Sequence, residues 1–269
     1  MQIRDHFTMR NFSLQHSDME AFITSKCKAR ASYLVWRVFW ALYHLSWLLG
    51  NIVVMSLSDD VNVAKWLIYL SNWMYLVLTC ECVLEAIIVI RSWKRKLGAV
   101  EGMRLPWYIQ LTWLLYTVAA VGSVMVSVWY WSLIHKGREL TAIRFNTHAV
   151  SSIYVIFNMA LTRFPFRLLH FLYPVAFGVV YTFFTALYYS FGGTNQYGDA
   201  YIYSVLDWSR PGRTLVICSL SNFAFIPVVH VMVWAMSLCF QKVYEHFRLR
   251  RVIYNQAEDS VDGEEVDIG

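Results

Sequence analysis

The chain has 269 residues, of which 58% are hydrophobic, 17% are aromatic and only 15% are charged, with a formal net charge of +5. An ordinary soluble domain carries roughly 25% charged residues. This composition therefore excludes a protein whose whole fold is surrounded by water, and it points to lipid as the main solvent. We expect membrane lipids as partners and no nucleic-acid partner.

The apolar residues are grouped into six runs, most of them long enough to cross a bilayer, which takes about 20 residues as a helix. The fourth run is the shortest. We therefore predict an all-α polytopic membrane helix bundle with six transmembrane helices over residues 33–241. The predicted spans are residues 33–57, 66–90, 106–134, 145–162, 168–191 and 213–241.

The lysines and arginines outside or at the ends of these spans are distributed unevenly between the two sides of the membrane. Sixteen lie on the side of the two termini and six on the opposite side. Because basic residues are enriched in cytosolic loops, we predict that the N-terminus and the C-terminus are both cytosolic. The connection over residues 192–212 would then be the longest external loop.

Two tails flank the predicted membrane domain. Residues 1–32 are expected to form a cytosolic N-terminal tail. Residues 242–269 are expected to form a cytosolic C-terminal tail, which begins basic and ends in the acidic stretch EDSVDGEEVDIG, whose composition is typical of disorder. The five cysteines lack CxxC spacing, so we expect no disulfide framework, no metal site and no cofactor.

Ionisable residues inside spans cost several kcal/mol unless they are paired, so each one indicates a function or a contact between helices. If the first two spans form an antiparallel hairpin around residue 61, Arg37 lies level with Glu85, and His44 lies near Glu81. We interpret both as structural polar pairs. Snorkelling of Arg37 to the cytosolic surface is the alternative for the first pair, and a proton or ion path along these residues is an alternative function.

A serine and a histidine enter their helices from the same predicted side. Ser71 follows Lys65 by six residues and His148 follows Arg144 by four, which places them roughly 9 and 6 Å into the membrane. A neutral imidazole can accept the proton of a serine hydroxyl that attacks an ester carbonyl. Asp207, in the external loop, could orient the imidazole. The alternative is that both side chains only support helix packing.

Three separated motifs resemble the rolling stone family of multipass membrane proteins, which is named for a fly protein implicated in myoblast fusion. They are WLIYLSNWMYLVL, FNTHAVSSIYVIFNMALTRFPFRLLHFLYP and YYSFGGTNQYGDAYIYSVLDWSRPG. The resemblance implies a protein that acts at the cell surface in cell fusion or membrane organisation. It also makes the plasma membrane a better expectation than the endoplasmic reticulum.

The same family is distantly similar to androgen-induced multipass proteins that hydrolyse fatty acid esters with a membrane-embedded threonine and histidine. That similarity places the hydroxyl on Ser71, the histidine on His148 and an acidic position on Asp207, while Ser204 stands where proline is usual. It implies an alternative function, an intramembrane lipid ester hydrolase with fatty acid esters as substrates. Whether the chain is an enzyme is left open at this point.

Overall fold

The computed structural model describes residues 8, 11–27, 29–57, 62–95, 104–135, 137 and 139–265. Side chains are described for all of these except residue 95 and residues 251–265. The predicted turn near residue 61, the beginning of the N-terminal tail and the last residues of the acidic stretch lie outside the described residues.

The described chain is helical, with no strand beyond an isolated bridge between Ser25 and Thr162. This confirms the predicted all-α class. Short 3-10 helices precede α2 at Val63–Ile68 and α6 at Leu168–Phe171. The α-helices are α1 (Arg30–Ser56), α2 (Leu70–Arg95), α3 (Trp107–Trp129), α4 (Ala142–Phe145), α5 (Ser151–Leu161), α6 (Leu172–Ser190), α7 (Pro211–Leu220) and α8 (Ile226–Glu265).

Five stretches of the described chain are long and apolar enough to cross a membrane. They coincide with the first, second, third, fifth and sixth predicted spans. The fourth predicted span is instead built from α4, a π-helical turn at Asn146–Val150 and α5, and it is not among the five. The chain is therefore a multipass helical membrane protein, while the count of six spans and the cytosolic position of both ends stay predictions.

Helix α3 forms the centre of the bundle. It packs against α2, α5, α6 and α8, and the span that contains it is the most buried of the five. Small residues allow the neighbouring helices to approach closely, as is common in membrane bundles. At Gly122 the side chain of Met74 occupies the space that a Cβ atom would fill, so a larger residue at this position would require the Met74 side chain to move.

The described part of the predicted N-terminal tail packs against one end of the bundle. Arg167 donates hydrogen bonds to the carbonyl oxygens of Ser13 at 2.7 Å and Gln15 at 2.9 Å. Arg163 forms an ion pair with Asp18 at 3.1 Å. The Phe22 ring is 1% exposed. This segment therefore covers the end of the membrane domain that the charge count assigns to the cytosol.

The last helix is longer than the predicted span. It begins at Ile226 and ends at Glu265, so it continues through the basic stretch and into the acidic stretch for which the composition is typical of disorder. The charges of this segment are separated into a basic part and an acidic part, so alternating charge does not explain the helix.

Replacing Phe22 by alanine should lower the free energy of unfolding by about 3–5 kcal/mol, because it empties a packed site between aromatic rings. The Phe22 centroid lies 5.2 Å from that of Trp113 and 5.0 Å from that of Phe164. Chemical unfolding in detergent would measure the loss. Phe12→Ala is the control, since that ring is 39% exposed and should cost clearly less. Equal losses would show that the segment is not docked through Phe22.

Candidate functional site

The bundle contains a cavity of about 860 Å³ at the end opposite the N-terminal segment. Its wall combines residues of α2, α3, α6 and α7 with residues of the loop after α6. This volume is at the upper end of the roughly 300–1,000 Å³ that is usual for small-molecule sites. The wall mixes apolar side chains with serine, threonine, asparagine, histidine and tyrosine, so it suits a molecule with an apolar part and a polar part.

The π-helical turns of the described chain all border this cavity. They are Tyr130–Ile134, Asn146–Val150 and Ser221–Phe225, and each contributes residues to the wall. A π-helical turn inserts an extra residue into a helix and weakens its hydrogen bonding, and such turns are frequent at functional sites. Three of them around one cavity indicate that this end of the bundle is shaped for more than packing.

Ser71 lies on the cavity wall at the beginning of α2. The helix starts here because two tyrosines bind its first backbone group: the Leu70 N–H donates to the hydroxyls of Tyr181 and Tyr203, each at 3.1 Å. The Tyr181 hydroxyl also donates to the Ile68 carbonyl at 2.8 Å. The Tyr203 hydroxyl interacts with the Ser71 side chain as well. The serine hydroxyl is therefore held at a helix N-terminus, where the backbone dipole favours negative charge.

His148 lies on the same wall, inside the π-helical turn Asn146–Val150. Its ring stacks on the ring of Tyr130 with a centroid distance of 3.7 Å and an interplanar angle of 4°. Its carbonyl oxygen accepts a hydrogen bond from the indole N–H of Trp131 at 3.0 Å. The Nδ1 atom is buried and has no hydrogen-bond partner. The imidazole is thus positioned by stacking on Tyr130.

Asp207 does not lie on the cavity wall. Its Oδ1 accepts hydrogen bonds from the Ser209 backbone at 3.0 Å and the Ser209 hydroxyl at 2.7 Å. These bonds hold the pKa of the Asp207 carboxyl below its ordinary value. The carboxylate therefore organises the turn that leads into α7, and the structure does not bring it to His148.

The structure places Ser71 and His148 on one cavity, although none of the described hydrogen bonds joins them directly. The sequence reasoning missed the residues that position both side chains, namely Tyr130, Tyr181 and Tyr203. Tyrosines are abundant in this chain, and one sequence gives no signal that separates these three from the others. No group of three or more His, Cys, Asp or Glu within the described residues could hold a metal ion.

A second polar cluster lies away from the cavity. Arg37 of α1 forms an ion pair with Glu85 of α2, and both side chains are 1% exposed. This is the pair that the hairpin register predicts. Arg37 also donates to the Asn158 side chain at 2.9 Å and the Tyr33 hydroxyl at 2.7 Å, so the cluster links α1, α2 and α5. An arginine held in this way does not snorkel.

The second predicted pair, His44 and Glu81, is not joined by any of the described hydrogen bonds. The His44 ring contacts Tyr75 through Nδ1 at 3.1 Å, and Glu81 accepts a hydrogen bond from the Cys82 thiol at 3.3 Å. Tyr154 of α5 explains the difference, because its ring packs against His44 with centroids 4.9 Å apart and its hydroxyl lies 3.3 Å from Cys82. Equal depth along the hairpin did not determine the rotation of the side chains.

Comparison with known proteins gives a family match over most of the chain. The family model described as protein rolling stone matches residues 4–258. Protein rolling stone of Drosophila melanogaster is 27% identical over 221 residues, which cover 77% of this chain and 78% of the relative. No solved structure matches the chain.

Removing one member of the Arg37–Glu85 pair should destabilise the protein by about 3–5 kcal/mol, because the remaining charge is buried without its partner. Arg37→Met and Glu85→Gln should each show this loss in unfolding experiments in detergent. The double variant should lose less free energy of unfolding than the two single variants together, since it leaves no buried charge unpaired. Strictly additive losses would mean that the two side chains do not act as a pair.

Proposed function

The chain belongs to the rolling stone family, and on this premise we propose that it is an intramembrane lipid ester hydrolase with Ser71 as nucleophile and His148 as general base. The observation that carries the proposal is the shared wall of one large cavity, on which both side chains lie. The substrates are membrane lipids that contain a fatty acid ester. Such molecules match a wall that is apolar in part and polar in part.

The first step is acyl transfer to the serine. The Ser71 Oγ attacks the ester carbonyl while His148 accepts the hydroxyl proton. The bond between the carbonyl carbon and the alcohol oxygen then breaks, and the histidine returns the proton to the leaving alcohol. The N-terminus of α2, next to Ser71, is a source of favourable electrostatics for the oxyanion that develops.

The second step is hydrolysis of the acyl-enzyme. A water molecule attacks the acyl carbonyl while His148 accepts its proton, and the bond to Ser71 breaks as that proton is transferred to the serine oxygen. The products are a free fatty acid and the alcohol part of the lipid. In this scheme stacking on Tyr130 positions the imidazole. Asp207 does not orient it, because the Asp207 carboxylate is bound to Ser209.

A fluorophosphonate probe should label Ser71 covalently in the purified wild-type protein, because the probe traps a serine that a base activates. Labelling and hydrolysis of branched fatty acid esters should both fall at least about 100-fold in Ser71→Ala and in His148→Ala. In-gel fluorescence and released fatty acid are the two measurements, with size-exclusion profiles to show that each variant is folded.

Two matched variants serve as controls. Ser190→Ala removes an exposed helical serine whose hydroxyl only bonds the Ala186 carbonyl. Asp207→Asn removes the carboxylate that lies outside the cavity. Both should keep labelling and hydrolysis near the wild-type level. A related hydrolase that is active in the same assay serves as the positive control. If the folded wild-type protein is then neither labelled nor active, the proposed hydrolase activity is rejected.

We propose further that this chemistry serves cell fusion or membrane organisation at the cell surface, with the plasma membrane as the site of action. The support is the family resemblance together with the position of the cavity, which lies at the end of the bundle that the charge count assigns to the outside. Lipids of the outer leaflet would then enter the cavity directly.

Cysteine labelling in cells should reveal both the compartment and the orientation. Tyr197 is 69% exposed in the loop after α6, and Cys27 is exposed at the opposite end. A membrane-impermeant maleimide should label Tyr197→Cys on intact cells and should label Cys27 only after permeabilisation. Labelling of Tyr197→Cys only after the internal membranes are opened would place the protein in the endoplasmic reticulum. Labelling of Cys27 on intact cells would invert the topology.

A further inference from the structure

The cavity wall carries two opposite formal charges. Among the described residues that line it, Arg144 is the one arginine or lysine and Asp199 is the one carboxylate. They do not form an ion pair with each other; the ion pairs among the described residues are Arg37 with Glu85 and Arg163 with Asp18. The cavity therefore offers one site for an anionic group and, separately, one for a cationic group.

Arg144 belongs to α4 and lies one helical turn before His148. Its Nη1 donates a hydrogen bond to the Glu139 carbonyl at 2.6 Å, which orients the guanidinium without neutralising it. A half-buried guanidinium with free N–H groups recognises the oxygens of a phosphate or carboxylate with fixed geometry. An anionic group of a bound lipid would therefore lie close to the catalytic pair.

Asp199 belongs to the loop after α6. Its Oδ2 accepts a hydrogen bond from the Asn195 side chain at 2.9 Å, and its backbone N–H donates to the Asn195 side chain at 3.0 Å. The nearby Lys65 is bound to Thr194 and to the Asn195 carbonyl, and it does not line the cavity. The carboxylate thus forms no ion pair with a cationic side chain among the described residues.

Two tyrosines lie within two residues of Asp199 in the sequence. Tyr197 and Tyr201 of the same loop also line the cavity. A quaternary ammonium group is attracted both by a carboxylate and by the faces of aromatic rings. The Asp199 side of the wall therefore suits an alkylammonium group, and the Arg144 side suits a phosphate.

We propose that the lipid bound in this cavity is a zwitterionic glycerophospholipid, whose phosphate pairs with Arg144 and whose ammonium group pairs with Asp199. The identification of this lipid as a substrate rests on the proposed function, because one of its acyl esters must reach Ser71; the headgroup site does not. A purely anionic lipid satisfies Arg144 but meets repulsion from Asp199. A neutral diglyceride leaves both charges desolvated without partners, which costs binding free energy.

Binding to the Ser71→Ala variant in a maltoside detergent separates recognition from catalysis. The probes are phosphatidylcholine, phosphatidic acid and diacylglycerol with the same short fluorescent acyl chains. Phosphatidylcholine should bind at least about tenfold more tightly than the other two, a difference of about 1.4 kcal/mol. This ranking needs no substitution at either charged residue, so it tests the proposal even where a variant fails to fold.

Substitutions in the same background assign the two halves of the headgroup. Arg144→Gln should weaken the binding of phosphatidylcholine and of phosphatidic acid to a similar extent. Asp199→Asn should weaken the binding of phosphatidylcholine, because it removes the attraction to the ammonium group. The same substitution should strengthen the binding of phosphatidic acid, because it removes a repulsion. Arg210→Gln and Asp207→Asn are the matched controls, because both charges lie outside the cavity wall, and both should leave the ranking unchanged.

Equal binding of the three lipids, or a preference for phosphatidic acid that Asp199→Asn leaves unchanged, would overturn the proposal. Hydrolysis of the same lipids by the wild-type chain is measured in parallel. If the lipids are hydrolysed but bind with equal affinity, the proposal of a zwitterionic lipid is rejected and the proposed hydrolase is kept. If the lipids bind in the predicted order of affinity but the wild type does not hydrolyse them, the headgroup site is kept and the proposed hydrolase is rejected.

Discussion

The ion pair between Arg37 and Glu85 lies at a depth where lipid would otherwise surround both charges, so α1 and α2 cannot separate without a large loss of free energy. The Asn158 side chain brings α5 into the same cluster. These three helices carry or adjoin the residues of the cavity, which lies further along the bundle. The positions of Ser71 and His148 relative to each other therefore depend on a contact that neither residue makes.

The two ends of the bundle are built differently. At one end the N-terminal segment adds aromatic packing and main-chain hydrogen bonds to arginines, and Phe22 is buried among rings. At the other end π-helical turns and a long loop surround a cavity. The two ends therefore differ in packing, since one is covered by a docked segment and the other surrounds a cavity.

The polar residues of the bundle fall into two groups with different roles. The Arg37 cluster is satisfied mainly by its own members and lines no part of the cavity, which is the arrangement expected of a structural contact. Ser71, His148, Arg144 and Asp199 instead lie on a wall with space beside them. Polar groups that the protein leaves beside such a space are the ones available to a ligand.

The sequence by itself determined the helical class and the approximate helices, because hydrophobic length is a local property of the chain. Depth was sufficient to pair Arg37 with Glu85. It was insufficient for His44 and Glu81, where Tyr154 of a distant helix intervenes, and for Asp207, which binds Ser209. Only the tertiary structure decided the cavity, the π-helical turns and the tyrosines that position Ser71 and His148, because helix rotation and contacts between remote segments depend on the packing of the whole bundle.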